Sequence, residues 1–424
     1  MNKRLILIGA TTGYQTRVFA AAAERLGYEL ALATDRCHVL EDPWGDRAIA
    51  LRFEDPPGAA ATLAAEARVD GGRVDGGRVD GGGVDGIVAL GDRPAYIAAL
   101  AAKRMGIPYN SPASVAASRD KFLAHDQFRA AGLLVPEFRR VALSEGPEHA
   151  AQEAHYPCVL KPLGLSASRG VIRANNTAEF TVAFRRIERL LADPDIARLH
   201  EDQDRFLQVE SFIEGREFAL EGILTHGELR VLALFDKPDP LDGPFFEETI
   251  YVTPSREDAA TQDAIVRTTQ AAVKALGLTH GPIHAETRVN SGGVWMLEVA
   301  ARPIGGLCAR VLPGLEDLIL RHAAGVESGG LAMPTPAAGV MMIPIPREGI
   351  YVDVEGLNAA RAQPGIEDVI ITAKQGQKLV PLPEGASYLG FIFARWETTD
   401  AVERALRSSH AQLRFEIATA LPVV

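Results

Sequence analysis

Short apolar runs and longer amphipathic stretches alternate along the first part of the chain. Residues 4–8, 30–33 and 87–90 are strand-length apolar runs, and residues 16–26 and 96–105 repeat apolar positions at the helical period. Strand and helix in alternation predict a parallel sheet with helices on both faces, the α/β class. After residue 114 the order changes. Helices are expected over 120–131, 177–191, 257–276 and 314–324, strands over 158–161 and 206–210, and a hairpin pairing 217–224 with 228–234. The segments 340–345, 366–373 and 387–396 are strand-like. Strands and helices that do not alternate predict an α+β region. Three units follow: an α/β unit over 1–113, a unit over 114–310 with a smaller lid-like part over about 150–215, and a strand-rich α+β unit over 311–424.

The most informative stretch is GPIHAETRVNSGGVWMLEVAARPIGG, residues 281–306. A three-residue, glycine-containing turn that pairs Asn290 with Val294 sets Glu286 directly opposite Glu298 on one face. Ile283, Ala285, Val289, Trp295, Leu297 and Val299 then point to the other face, as core packing requires, and a two-residue turn would break the arrangement. Like charges placed opposite one another destabilise a sheet, so the pair calls for a bound divalent cation. The alternative is a solvated hairpin with its acidic residues in water.

Composition narrows the partners. With 47% hydrophobic and 23% charged residues, the 424-residue chain is able to bury large cores. A formal net charge of −11 argues against nucleic acid or an anionic membrane as the main partner, while leaving room for a local basic pocket that takes a nucleotide. Cys37, Cys158 and Cys308 make neither a disulfide framework nor a zinc spacing, which fits a reducing cytoplasm. Apolar runs stay shorter than the roughly 18 residues of a membrane span, and the apolar start reads as a strand leading into Thr11, Thr12 and Gly13.

Two further segments carry candidate chemistry. Lys161 ends an apolar strand and is followed by PLGLSASRG, a loop whose backbone amides, with Ser166, Ser168 and Gly170, suit phosphate oxygens; it lacks the Gly-Lys-Ser/Thr ending of a Walker loop. An ordinary Gly/Ser turn is the alternative. Downstream, ESFIEGRE places Glu210 and Glu217 on either side of a short apolar connector containing Phe212 and Ile213. Such a connector suits an adenine ring, with Glu210 accepting its amino group and Glu217 accepting ribose hydroxyls. A plain hairpin with charged flanks is the other reading.

Taken in order, Lys121, Lys161, the Gly/Ser loop, Glu210 to Glu217, Glu286, Glu298 and Arg302 resemble the signature of the ATP-grasp enzymes, over about residues 1–310. The resemblance implies an ATP-grasp fold with an N-terminal Rossmann-like domain, whose Gly9 to Gly13 turn faces the substrate, and a C-terminal β-rich domain. It implies that Lys121 and Lys161 contact the phosphates of ATP, Glu210, Phe212 and Ile213 the adenine, and Glu217 the ribose. Glu286 and Glu298 would hold magnesium, or manganese in its place. Ala300 stands where many members carry an asparagine metal ligand, and some purine-pathway members share the Glu-x-Ala-x-Arg-Pro reading found here.

Within the family, HAE followed by ExxxRPxGG resembles the L-amino acid ligases that make dipeptides. That resemblance implies an ATP-dependent ligase joining an amino acid or small carboxylic acid to an amine through an acyl phosphate, with release of ADP and phosphate. Arg302 and Arg310 are the candidates for stabilising the acyl phosphate and oxyanion, and Glu248, His284, Gly305 and Gly306 for contacting substrate. A purine-pathway enzyme acting on a nucleotide precursor and a non-catalytic ATP-binding module are the competing readings. A dehydrogenase is disfavoured because Thr11 stands where a dinucleotide fingerprint needs glycine. The expected partners are small molecules, and the oligomeric state stays open, a homodimer among the states allowed.

Residues 69–83 are a tandem VDGGR repeat without a packable apolar face, and without them the chain reads ARVDGIVALGD. One aspartate per repeat is a poor calcium set, so an expanded surface loop is expected. Deleting residues 69–83 should leave both the melting temperature and the activity of the chain unchanged; a large loss of either would make the repeat structural.

Overall fold

The computed structural model describes residues 3–9, 14–35, 48–69, 83–326 and 336–419. The Thr11 to Gly13 turn and nearly all of the tandem repeat lie outside them. In the N-terminal part, the strands Ile49–Ala50, Glu29–Thr34, Arg4–Gly9 and Gly86–Leu90 lie side by side in that order, all parallel. Their apolar residues are buried between helices such as Tyr14–Leu26 and Asp92–Met105, as the strand–helix alternation predicts.

An eight-stranded antiparallel sheet forms the centre, in the order Gly293–Ala300, His280–Asn290, Arg216–Thr225, Glu228–Lys237, Ile250–Thr253, Ala337–Ile343, Gly390–Trp396, Ile366–Ile371. The last three strands come from the C-terminal part. They extend the central sheet, while Lys378–Leu379, Gly349–Glu355 and Arg414–Ala418 form a small sheet of their own. The reason is visible in the burial: all seven residues of Ala337–Ile343 are buried, so this strand needs cover on both faces. The helix Thr399–His410 packs against it on one side.

A second antiparallel sheet, Phe138–Ala142, Phe206–Ser211, Cys158–Pro162 and Ile172–Ala174, is backed by the helix Thr177–Leu191 and stands over the central sheet as a lid. The lid starts at Phe138, earlier than the 150 read from the sequence. Asn176 caps its helix by accepting the amide of Glu179 at 3.0 Å, and Phe180, Phe184 and Ile187 turn one face into the lid core.

Neighbouring segments hold the lid's loop after Lys161 in place. The Gly170 amide donates to Pro383 O at 2.7 Å, Arg169 Nε donates to Glu384 O at 2.7 Å, and Arg186 grips the Glu384 carboxylate with two bonds of 2.8 Å. On the other side the Arg173 amide donates to Pro244 O at 2.9 Å. Glycine is required at position 170: φ is +75°, and a Cβ there would lie 2.6 Å from Pro162 Cγ. Because the Arg186–Glu384 pair is partly exposed, Glu384→Ala should change global stability by only about 1 kcal/mol or less. It should nevertheless speed hydrogen exchange at the Gly170 amide while leaving the central sheet protected; unchanged exchange there would show that the clasp does not hold the loop.

Candidate active site

Strand alternation assembles the site. On the central sheet, His284, Glu286 and Arg288 share one face, and the ladder sets His284 beside Glu221, Arg288 beside Glu217, and Glu217 beside Lys237. The opposite face of the same strands carries Ile283, Ala285, Phe218 and Leu220, all in the core. The result is a polar floor on an apolar sheet, roofed by the lid. The cleft between them has a volume of ≈ 560 Å³.

Glu286 does face Glu298, by a route different from the predicted one. The hairpin closes through two residues, Ser291 and Gly292, with Asn290 opposite Gly293, and a β-bulge at Leu297 then restores the register. The bulge swings Leu297 out of the core-facing row and into the lining of the cleft, whereas Ile283, Ala285 and Val299 are buried in the core as expected. Ala300 lies opposite His284, and this small residue leaves space beside the imidazole.

Of the residues singled out from the sequence, Lys121, Lys161, Ser166, Ser168, Glu210, Phe212, Ile213, Glu217, Glu248, His284, Glu286, Glu298, Arg302, Gly305 and Gly306 all line the cleft. Two do not. Gly170 is occupied in holding the loop, and Arg310 is half exposed outside the cleft, bonded to Asp368 at 2.9 Å and stacked over Phe393. Arg302 is the arginine that the fold delivers. Asp92, from the N-terminal part, accepts its Nε at 2.9 Å, and the buried pair favours both charges: burial opposes the Asp92 carboxylate, but Arg302 outweighs it and lowers its pKa.

The two lysines expected at the phosphates, Lys121 and Lys161, are each held by neighbouring groups. Lys121 opens the helix Lys121–Ala130, which Asp120 caps through the Leu123 amide at 3.0 Å; its Nζ donates to Leu165 O at 2.6 Å and lies 3.6 Å from Glu298. Lys161 pairs with Glu210 at 2.5 Å. The other Glu210 oxygen accepts from Gln208 at 2.7 Å, so each carboxylate oxygen already has a partner. Burial works against this carboxylate, yet Lys161 dominates and holds its pKa below the usual range. Between the lysines, Ala167 and Ser168 both adopt φ near +55°, at 56° and 54°, a left-handed conformation that costs non-glycine residues about 1 kcal/mol or more each.

Several contributors escape the sequence reading. Lys237 sits among Glu217 at 2.8 Å, Glu286 at 3.1 Å and Glu248, with which it makes its shortest contact. Burial opposes its charge, but these carboxylates raise its pKa well above normal. Arg288 donates to Glu217 at 2.9 Å and to Ile213 O at 2.6 Å, fixing the connector proposed for adenine. Glu221 accepts from His284 and, at 3.1 Å, from the Ile304 amide. The signal for Glu221 was a charge inside an apolar run, since such residues are rarely buried without partners, whereas Lys237 ends its strand beside Asp236 and carries no such mark.

His284 bridges Glu221 and Glu286, 3.2 Å from the latter. Burial disfavours its charge, but the two carboxylates prevail and raise its pKa to about 9, so the ring is an imidazolium at neutral pH. Glu286 is correspondingly held well below the ordinary carboxylate range, Lys237 and His284 overcoming its burial. Glu248 goes the other way: burial, with Glu286 and Glu217 nearby, raises it to about 7 against the pull of Lys237.

The carboxylate oxygens are ligands of the kind a hard divalent cation takes, and the ammonium of Lys237 already lies among three of them. Oxygens of Glu217, Glu248 and Glu286 lie within 4.8 Å of one another, and Glu298 faces Glu286 across the hairpin. The lining as a whole carries six carboxylates against four lysines and arginines, an acidic balance in which a polyphosphate needs metal cations beside it. The far wall comes from the C-terminal part: Tyr388 and Phe391, with Met342 and Tyr251 beside them, are largely apolar, and Thr372, Gln377 and Ser387 add uncharged polar groups. Among the described residues, no helix is long and apolar enough to cross a membrane.

Residues 154–311 match the family described as an ATP-grasp domain, and residues 341–418 match L-amino acid ligase C-terminal domain 2. Dapdiamide A synthase of Enterobacter agglomerans is 30% identical over 193 residues, covering 45% of this chain and 44% of that protein. The chain thus spans less than half of that relative. D-alanine–D-alanine ligase of Geobacter sulfurreducens is 27% identical over 241 residues, covering 53% of this chain and 70% of its own length. The crystal structure of an L-amino acid ligase from Bacillus licheniformis superimposes with a TM-score of 0.83 at 26% identity, over 99% of both chains. The chain thus carries an ATP-grasp domain over residues 154–311, followed by a C-terminal domain of the L-amino acid ligase type over residues 341–418.

Proposed function

We propose that the protein is an ATP-dependent carboxylate–amine ligase that forms a peptide bond between an amino acid, or a small carboxylic acid, and an amine. The observation that carries this reading is the bulged hairpin: Glu286 and Glu298 face one another in the cleft, and Arg302 lies just beyond them in the same lining, anchored by Asp92. Adenine lies by Phe212, Ile213 and Phe246, and the ribose hydroxyls reach Glu217, which keeps lone pairs beyond those given to Lys237 and Arg288. Lys121, Lys161, Ser166 and Ser168 receive the phosphates. Glu286 and Glu298 would hold magnesium, which when bound neutralises charge on the phosphate oxygens.

The substrate carboxylate attacks the γ-phosphorus; an oxygen–phosphorus bond forms as the bond to the β,γ-bridging oxygen breaks, and ADP leaves. The amine nitrogen then adds to the acyl carbon, phosphate departs and the nitrogen loses its proton. Each step gathers negative charge beside Arg302, whose guanidinium is held in place before reaction, so little reorganisation is needed. Glu248 offers a carboxylate oxygen to the substrate ammonium, and the charged His284 favours an anionic group at the reacting end. The uncharged wall of Tyr251, Met342, Tyr388 and Phe391 accommodates the substrate side chain.

The C-terminal match to L-amino acid ligases favours this reading over a purine-pathway enzyme. Retention of both facing carboxylates together with Arg302 favours it over a non-catalytic module.

Amino acids screened in pairs for ATP-dependent phosphate release should give ADP and a new amide by mass spectrometry; AMP would redirect the mechanism to adenylation. Glu298→Gln should keep the fold and lose about 100-fold or more in turnover, the scale of a lost electrostatic stabiliser. Near-normal turnover would remove Glu298 from the metal site. Glu217→Ala should raise the KM for ATP by about tenfold, in line with a charged hydrogen bond, with a smaller effect on the acid substrate. Equal effects on both would end its ribose role.

A further inference from the structure

The register of the hairpin depends on one extra residue, Leu297, and something must hold that bulge, because a slip would move Glu298 away from Glu286. Two contacts reach it from residues 121–134. The Met296 amide donates to Leu134 O at 2.9 Å, and the carbonyl of Leu297 itself is met at 2.9 Å by His125 Nε2. His125 is completely buried, on the helix that begins at Lys121, with its ring against Phe138 and Phe128.

The hydrogen bonds fix which nitrogen carries the proton. Gln208, also completely buried, directs its amide nitrogen to Glu210 at 2.7 Å and to His125 Nδ1 at 2.9 Å. A carboxylate only accepts, so the amide nitrogen is the correctly placed atom there, and its second hydrogen goes to Nδ1. Nδ1 is then an acceptor, and Nε2 carries the hydrogen donated to Leu297 O. The chain of bonds runs from Lys161 through Glu210, Gln208 and His125 to the bulge, joining a lid lysine to the carboxylate hairpin. Only the Gln208 carbonyl oxygen is left without a partner, a cost that the other bonds of the network offset.

We propose that His125 is a positioning residue: by donating to the bulged Leu297 carbonyl it fixes Glu298 opposite Glu286, and through Gln208 and Glu210 it keeps that register in step with Lys161. This rests on the metal and phosphate roles proposed above, while the bulge contact itself is independent of them. None of the residues between Lys161 and Leu297 need touch substrate for the network to act. Its effect is to make metal affinity and lid placement a single property of the packed core.

The test uses the full chain with three variants, His125→Leu, His125→Gln and Gln208→Leu. Hydrogen exchange of the protein without nucleotide or metal reads the bulge directly. His125→Leu should speed exchange over residues 296–299 and raise the magnesium concentration for half-maximal ATP-dependent phosphate release by about tenfold or more, the scale of a lost buried hydrogen bond. His125→Gln, which keeps a donor near the Nε2 position, should restore both values towards those of the parent. Gln208→Leu should leave exchange at 296–299 nearly unchanged while raising the KM for ATP. If His125→Leu does not fold, the other two variants carry the same contrast. Unchanged exchange and magnesium dependence in His125→Leu, or a His125→Gln variant no better than His125→Leu, would overturn the proposal. If the exchange pattern appears as expected but magnesium dependence does not change, the bulge contact stands and the metal assignment falls.

Discussion

The constraint on which this structure depends is the pair of glutamates facing each other across the 280–300 hairpin. Two carboxylates at about 5 Å repel by about 3 kcal/mol at an effective dielectric constant near 20. The surrounding side chains answer that repulsion with cations from four places. Lys121 comes from the start of a helix, Lys237 from the strand Glu228–Lys237 two places away in the sheet, His284 from two residues upstream, and Arg302 from the segment that leaves the hairpin. Each is itself anchored by a further carboxylate or carbonyl, so the charges form an ordered array and do not collapse into isolated pairs. Buried ion pairs of this kind contribute little net stability, and their value lies in a field that is set before ligands arrive.

Much of this array was legible because strands impose a period of two. His284 and Glu286 could be placed on one face, Glu210 and Glu217 on either side of a connector, and Lys161 at a strand end from spacing alone. The turn was misjudged. Asn290-Ser291-Gly292-Gly293-Val294 contains glycines enough for either a two- or a three-residue connection, and the bulge that reconciles the shorter turn with facing glutamates has no local sequence mark in Met296-Leu297-Glu298. Its cause is tertiary, in Leu134 and His125, more than a hundred residues away. Lys237 and Glu221 were missed for a related reason: their partners come from other strands, so pattern gives at most the anomaly of Glu221 in an apolar run without saying what resolves it. Arg310 shows the converse error. Position after the hairpin placed it with Arg302, but the short helical turn Cys308–Val311 carries it out to Asp368.

Three strands of the C-terminal segment join the central sheet, and the reason lies in hydrogen bonding. Ile250–Thr253 would leave an unpaired edge in the middle of the molecule unless another strand covered it; Ala337–Ile343 does so, and Gly390–Trp396 and Ile366–Ile371 follow in turn. Continuity of the ladder therefore ties the wall of the cleft to its floor.

That continuity also links the two ends of the reaction space. Pro383 and Glu384 hold the loop that follows Lys161 through Gly170, Arg169 and Arg186, and only a few residues further on Ala386, Ser387 and Tyr388 line the cleft. A short peptide segment cannot shift at one of these places and remain fixed at the other. The loop after Lys161 and the Ala386–Tyr388 wall of the cleft are thus mechanically one element, while the floor beneath them is tied to the bulge and its buried network. If the function proposed above holds, specificity for the acid and closure over the nucleotide draw on the same contacts, and a substitution in residues 383–388 would alter both together.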